Sequence, residues 1–312
     1  MFDLIIKNGT VIDGTGSPGI KADIAVSEGK ISEIGSFDES EAKEIVDAEN
    51  MIVCPGFIDP HTHYDAQLFW DPYASPSNLH GVTSVVMGNC GFSIAPISDA
   101  SDAEYLGAML VQVEGMSAEA LRLGVDWKWN TFEDYLGRLD GNVGVNVAAM
   151  VGHCALRRTV MKEDAVKREA TEDEIAKMQQ LLGEALKAGG LGFSTSRSFT
   201  HTDGDGLPVP SRVASVEEVL ALAEVCEKYP GTTLEWVADG CLNGFSDEEV
   251  ENELRFTEAE DNFYKIFEHF SHVKPILLKQ KEVCGNERSD LLLDKVEEKV
   301  GEIGEKVETM GK

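Results

Sequence analysis

Residues 51–63 read MIVCPGFIDPHTH, and this segment gives the strongest indication of the fold. It begins as a continuous apolar run and ends in Asp59 and the histidine pair His61 and His63. A run of this kind predicts a buried strand that delivers polar residues at its C-terminal end. Parallel α/β barrels present their chemistry at that end of their strands, so we expect a barrel of this type.

After residue 63, strand-like runs alternate with helix-like runs, as in βα units. The helix-like runs carry their own start signals, because Thr171 and Ser215 are each followed by a glutamate three residues later. The predicted strands number about five, whereas a complete barrel has eight. We therefore expect an incomplete TIM-type barrel whose further strands cover residues 82–87, 144–151, 191–194 and 232–237.

The two ends of the chain differ from this middle part. Residues 1–54 alternate short apolar runs with turn residues, which is typical of a small β-sandwich. Residues 246–312 are rich in glutamate and follow a helical pattern. The sequence therefore predicts a β-sandwich segment (1–54), a barrel portion (55–245) and an acidic helical tail (246–312).

Charge and composition exclude several classes of function. The chain has 312 residues, 42% of them hydrophobic, and 27 basic against 56 acidic side chains give a net charge of −29. So acidic a surface repels nucleic acids and anionic membranes, although it is also typical of proteins adapted to high salt. The six cysteines form no CxxC pair, and the N-terminus has no secretory signal pattern. We expect a cytoplasmic protein with reduced thiols, and a homo-oligomer is left open.

Three side chains are candidates for a metal site. His61 and His63 lie two residues apart at a predicted strand end, so both imidazoles project from one face. Cys90 closes the next predicted strand and would enter the same mouth of the barrel. Thiolate and imidazole are preferred zinc ligands. The alternatives are a pair of ordinary polar residues and a buried structural cysteine.

Four motifs in order resemble the amidohydrolase superfamily, in the branch of the D-aminoacylases and N-acyl-D-amino-acid deacylases. The resemblance covers roughly residues 1–245. It implies a small β-sandwich joined to a metal-dependent barrel that hydrolyses an amide bond, with one or two zinc ions held by His61, His63 and Cys90. The motifs are PGFIDPHTHYD (55–65), GVTSVVMGNCGFSIAP (81–96), GHCALR (152–157) and GFSTSRSFTHTDGDGLPVPSR (192–212).

The sequence indicates the substrate-binding and catalytic residues less clearly than the candidate metal ligands. His153, Arg157 and Arg197 are suited to hold a substrate carboxylate or carbonyl, because guanidinium matches a carboxylate in a bidentate way. A surface or salt-bridged arginine is the competing interpretation. The resemblance also implies two more histidine ligands and a catalytic aspartate, none of which we can place. Glu235 is a candidate replacement, with a barrel-filling residue or an ion pair as alternatives.

The resemblance thus implies a zinc-dependent hydrolase that cleaves the amide bond of N-acyl amino acids, which are small-molecule substrates. The D-form of the amino acid is implied by the resemblance alone, and we expect this chain by itself to have weak activity or none. Two alternatives stand beside it. One is a catalytically inactive N-terminal portion of such an enzyme that acts as a binding or assembly piece. The other is a cyclic amidase similar to hydantoinase or dihydroorotase, although Cys90 and GHCALR favour the deacylase branch.

Overall fold

A computed structural model describes residues 1–237 of the chain. The contacts divide the chain into two units, Met1–Phe57 and a second unit that begins at Ile58. The predicted helical tail, together with residues 238–245 of the predicted barrel portion, lies outside the described residues.

The N-terminal unit consists of two small sheets. Ile5 and Ala25, partners across two antiparallel strands of the larger sheet, are fully buried and form its centre. In the larger sheet the strand order is β5-β4-β1-β6, and in the smaller it is β3-β2-β7. The strands are β1 (Phe2–Lys7), β2 (Thr10–Val11), β3 (Ile20–Lys21), β4 (Asp23–Ser27), β5 (Lys30–Gly35), β6 (Ala42–Asp47) and β7 (Ile52–Val53).

The second unit contains, within the described chain, a sheet of five strands in sequential order with helices in the connections. The last four strands pair in parallel. Sequential parallel strands joined through helices are the arrangement of a (β/α) barrel, and the described part forms half of one. The strands are β8 (Phe57–Asp59), β9 (Val82–Met87), β10 (Asn146–Gly152), β11 (Gly192–Ser196) and β12 (Thr233–Val237).

Helices cover this sheet and bury an apolar core against it. Thr171 begins one of them with the predicted capping box, in which its hydroxyl accepts from the Glu174 backbone and Glu174 accepts in return. The same helix buries Met178 and Leu182 in the core shared with Phe193 of β11. The helices are α1 (Ala100–Glu114), α2 (Ala118–Gly124), α3 (Phe132–Leu139), α4 (His153–Met161), α5 (Glu172–Lys187) and α6 (Val216–Cys226).

The prediction that the apolar run 51–58 forms one continuous buried strand is wrong. It is divided between β7, which pairs with β2 of the N-terminal unit, and β8, which lies at the end of the barrel sheet. Pro55 and Gly56 fall between the two strands, and proline cannot donate to a ladder. Phe57 and Ile58 are 59% and 68% exposed because β8 is the last strand of its sheet in the described chain.

Among residues 1–237, no helix combines the length and the apolar character needed to cross a bilayer. The cytoplasmic location stays a prediction.

Candidate metal centre

The turn after β9 holds Cys90 in an unusual backbone conformation. Cys90 has φ +56°, in the left-handed region that side chains with a Cβ rarely adopt. Gly88, two residues earlier, has φ +75°, and a Cβ there would collide with the carbonyl oxygen of Met150 on β10. Glycine at position 88 therefore allows the turn to lie against the neighbouring strand, with the Cys90 side chain 6% exposed.

The histidine pair follows β8 and is fixed to the same strand end. Thr62, between the two histidines, bonds to the Val86 carbonyl through its backbone N–H (2.9 Å) and through its hydroxyl (2.7 Å). Val86 belongs to β9, four residues before Cys90. The local anchor thus places His61 and His63 beside the cysteine turn.

The three candidate ligands converge. The Cys90 Sγ lies 3.2 Å from the His61 Nε2 and 3.9 Å from the His63 Nε2, and the three donor atoms all lie within 4.8 Å of one another. A tetrahedral zinc with bonds of about 2.0–2.1 Å to nitrogen and 2.3 Å to sulfur separates its donors by roughly 3.3–3.6 Å. The donor set therefore suits one zinc ion, and the wider separations, 3.9 Å and at most 4.8 Å, would have to shorten when the ion binds.

The protonation of His63 suits a ligand. Burial lowers the pKa of His63 to about 3, with a further contribution from the neighbouring His61. The imidazole is consequently neutral, which is the form that binds metals. The ring of Phe92 packs 6.1 Å from the His63 ring and contributes to this burial.

A cavity of about 460 Å³ opens beside the two histidines. Its lining includes Asp59, Tyr64 and Glu114, the last residue of α1. The Glu114 Oε1 lies 3.5 Å from the His63 Nε2, and burial raises the pKa of Glu114 to about 7. Sequence reasoning did not identify Glu114, because a glutamate at a helix end carries no motif that separates it from its neighbours.

Glu235 on β12 reaches the cysteine turn. Its Oε2 accepts a hydrogen bond of 2.7 Å from the Cys90 backbone N–H, and burial raises the pKa of Glu235 to about 8. Glu235 thus contacts the backbone of Cys90, one of the three candidate ligands. Its catalytic role stays a prediction.

His153 and Arg157 lie in a fully buried network instead of a substrate pocket. The His153 Nε2 and Nδ1 lie 2.8 Å from the Glu218 carboxylate and 2.8 Å from the Thr195 hydroxyl. Arg157 pairs with the same carboxylate and donates to the carbonyls of Ala165 and Arg168.

Neither side chain has any exposed surface. Their position does not support the substrate-binding roles predicted for them, and Arg157 is the salt-bridged arginine of the competing interpretation. Burial lowers the pKa of His153, whereas His153 and Arg157 lower the pKa of Glu218 against the effect of its own burial. The network is therefore a neutral imidazole beside an ion pair.

Arg197 lies just beyond the end of a barrel strand. It follows β11, on the edge of the sheet where Cys90 follows β9, and its backbone N–H donates to the Val237 carbonyl (2.9 Å). The side chain is half-buried. Its role in binding substrate stays a prediction.

His201 also lies near the two candidate histidine ligands. Its Nδ1 lies 2.7 Å from the Ser196 hydroxyl, and its ring packs 4.9 Å from that of Phe92, the residue that also packs on His63. Burial, followed by the charge of Arg212, lowers the pKa of His201 to about 4. Its place in the motif 192–212, directly after a barrel strand, was the signal that could have identified it.

A family model described as the amidohydrolase family matches residues 44–294. The chain therefore belongs to the amidohydrolase family, which confirms the resemblance of the motifs and extends it beyond residue 245.

Known relatives make the likeness more specific. A D-aminoacylase of Alcaligenes xylosoxydans xylosoxydans is 37% identical over 226 residues, which cover 72% of this chain and 41% of that protein. A solved D-aminoacylase structure, from work on its binuclear metal center, is 30% identical with a TM-score of 0.64 and covers 92% of this chain and 57% of its own.

A crystal structure of N-acyl-D-glutamate deacylase from Bordetella bronchiseptica, complexed with zinc and a phosphonate inhibitor, is also similar. It is 32% identical with a TM-score of 0.60 and covers 82% of this chain and 49% of that one. The chain spans about two fifths of the length of the curated relatives it matches first.

Proposed function

We propose that this chain carries the metal centre of a zinc-dependent hydrolase that cleaves the amide bond of N-acyl-D-amino acids. The observation that carries the proposal is the convergence of His61, His63 and Cys90 within 4.8 Å beside an open cavity. The similarity to D-aminoacylase and to N-acyl-D-glutamate deacylase supports the substrate class.

The chain's own residues can supply the ligand chemistry. Two imidazoles and one thiolate leave one position of a tetrahedral site open, which is the pattern of catalytic zinc. Zinc bound there would polarise the scissile carbonyl and lower the pKa of a bound water to near neutrality. The neutral His63 is ready to bind without first losing a proton.

Two carboxyl groups are placed to hold or move a proton. The Glu114 Oε1 faces the cavity beside His63, whereas Glu235 contacts the backbone of Cys90. A general base must lie within hydrogen-bond reach of the proton that it takes. Glu114 is the better placed of the two for a substrate that enters from the cavity.

Arg197 is proposed to bind the carboxylate of the substrate's amino acid. It lies at the end of β11 on the ligand edge of the sheet, and its guanidinium matches a carboxylate in a bidentate way. An Arg197→Lys variant keeps the charge but loses the bidentate geometry. It should raise KM more than it lowers kcat, since binding of the carboxylate persists through the reaction.

The experiment is release of free amino acid from paired N-acetyl-D- and N-acetyl-L-amino acids. The parent chain should release the D-amino acids at a low rate, because two histidine ligands and the aspartate of the family are not located in it, and it should lose this activity with a chelator and regain it with zinc. His63→Ala should fall to the level of the chelated protein, whereas Cys226→Ala, a buried cysteine of α6, should match the parent. Release that persists undiminished in the chelator would contradict the proposal.

The same assay separates the two alternatives. A cyclic amidase would open hydantoin or dihydroorotate and leave the acyl amino acids intact. A non-catalytic binding piece would bind zinc and release no amino acid from any substrate.

A further inference from the structure

The backbone around Cys90 is held by two side chains from strands far away in the sequence. Ser194 of β11 has no exposed surface, and its hydroxyl accepts from the Gly91 N–H (3.0 Å) and donates to the Gly88 carbonyl. One hydroxyl therefore joins both ends of the turn that contains Cys90. The hydroxyl therefore acts both as a donor and as an acceptor of hydrogen bonds to that turn.

Glu235 holds the middle of the same turn. Its Oε2 accepts from the Cys90 N–H at 2.7 Å. Ser194 and Glu235 are direct partners in the register of β11 and β12. Two adjacent strands thus present neighbouring side chains to three consecutive peptide units of the turn.

These contacts matter because the Cys90 backbone is strained. A residue with a Cβ disfavours φ +56°, so the conformation persists only where its surroundings impose it. If the turn relaxed towards negative φ, the Cα–Cβ bond of Cys90 would point in a new direction. The Sγ would then leave its place 3.2 Å from the His61 Nε2.

We propose that Ser194 is a positioning residue that, with Glu235, fixes the Cys90 turn so that the thiolate meets the two histidines at one metal ion. The inference rests on the metal centre of the proposed function. Ser194 is not itself a metal ligand, but it controls how tightly the metal binds because it holds the turn that carries Cys90.

The test is a Co²⁺ titration of the full chain, monitored by the thiolate-to-cobalt charge-transfer absorption. Ser194→Ala should bind Co²⁺ roughly 10–100-fold more weakly, the usual range when a group behind a ligand is removed, and should shift the absorption band. Ser211→Ala is the matched control. Ser211 is 1% exposed, and its hydroxyl also donates to a backbone carbonyl, that of Ser196, but it does not touch the cysteine turn.

If Ser194 had a purely structural role, both serine variants would have a lower thermal midpoint, and the two folded variants would bind Co²⁺ with the same affinity. Equal affinity in Ser194→Ala and Ser211→Ala would therefore overturn the inference while leaving the metal centre intact. A parent chain with no thiolate-to-cobalt band would instead overturn the metal centre itself, and this inference with it.

A second pair of variants keeps the test decisive if Ser194→Ala does not fold. Glu235→Ala removes the acceptor for the Cys90 N–H, whereas Glu235→Gln keeps an oxygen acceptor on a side chain of the same length. We expect Glu235→Ala to bind Co²⁺ at least about tenfold more weakly and Glu235→Gln to stay close to the parent. Parent-like affinity in Glu235→Ala would contradict the inference.

Discussion

Cys90 combines a left-handed backbone, a thiol within 3.2 Å of an imidazole and an N–H bonded to the half-buried Glu235 carboxyl. The partners in the two contacts are 29 and 145 residues away in sequence. The position of this one residue therefore depends on long-range contacts. The buried network of His153, Arg157 and Glu218 follows the same rule, since Glu218 lies 65 and 61 residues from the other two.

Arg157 should be a determinant of stability. Arg157→Met leaves the Glu218 carboxylate buried and without its cation, which costs roughly 3–5 kcal/mol of unfolding free energy. Urea denaturation measures the loss. Arg138→Met is the control, since Arg138 pairs with Asp126 on the surface and should cost less than about 1 kcal/mol. An unchanged stability in Arg157→Met would contradict the structural role of this ion pair.

Glu218 should make the fold sensitive to acid. Its pKa lies below the usual 4.5 in the folded protein, since His153 and Arg157 favour the charged form against the cost of burial. The carboxylate therefore contributes its full stability above about pH 4.5, and this is lost as the pH falls through the lowered folded-state pKa. Glu218→Gln should flatten the acid side of the stability curve. A curve with the parent's slope would contradict this assignment.

At the scale of elements, the sequence predicted four barrel strands to within two residues, because each is a short apolar run between turn signals. The run 51–58 misled the prediction, since apolar character alone did not reveal that Pro55 separates two strands of different sheets. The histidine pair and Cys90 were predictable from their positions after strands. Glu114, Ser194 and the pairing of His153 with Glu218 were not, because only folding brings those side chains to their partners.

Strands β11 and β12 approach each other closely at Gly192. A Cβ at Gly192 would collide with the Thr233 carbonyl of the paired strand. Gly192→Ala should therefore lower the free energy of unfolding by at least ~1–3 kcal/mol. Gly137→Ala is the control, because Gly137 lies in α3 with open space around it and alanine there should raise stability by about 0.5–1 kcal/mol. Equal changes in unfolding free energy in the two variants would show that β11 and β12 can move apart at Gly192 without loss of stability.

At the scale of the whole molecule, a net charge of −29 on 312 residues produces self-repulsion in the compact state. Salt reduces this repulsion, because the screening length falls from about 30 Å at 0.01 M to about 3 Å at 1 M. The urea midpoint should accordingly rise when NaCl is increased over that range. A midpoint that falls with salt would show that attractive ion pairs outweigh the excess of acid.

If His61, His63 and Cys90 together bind zinc, the metal content of the purified protein must depend on each of them. Zinc content and affinity are to be measured on the parent chain and on three variants. We expect His63→Ala and Cys90→Ser to lose zinc and Cys226→Ala to bind it like the parent. Equal zinc binding in all four proteins, or a loss confined to Cys226→Ala, would show that these three side chains do not form the site.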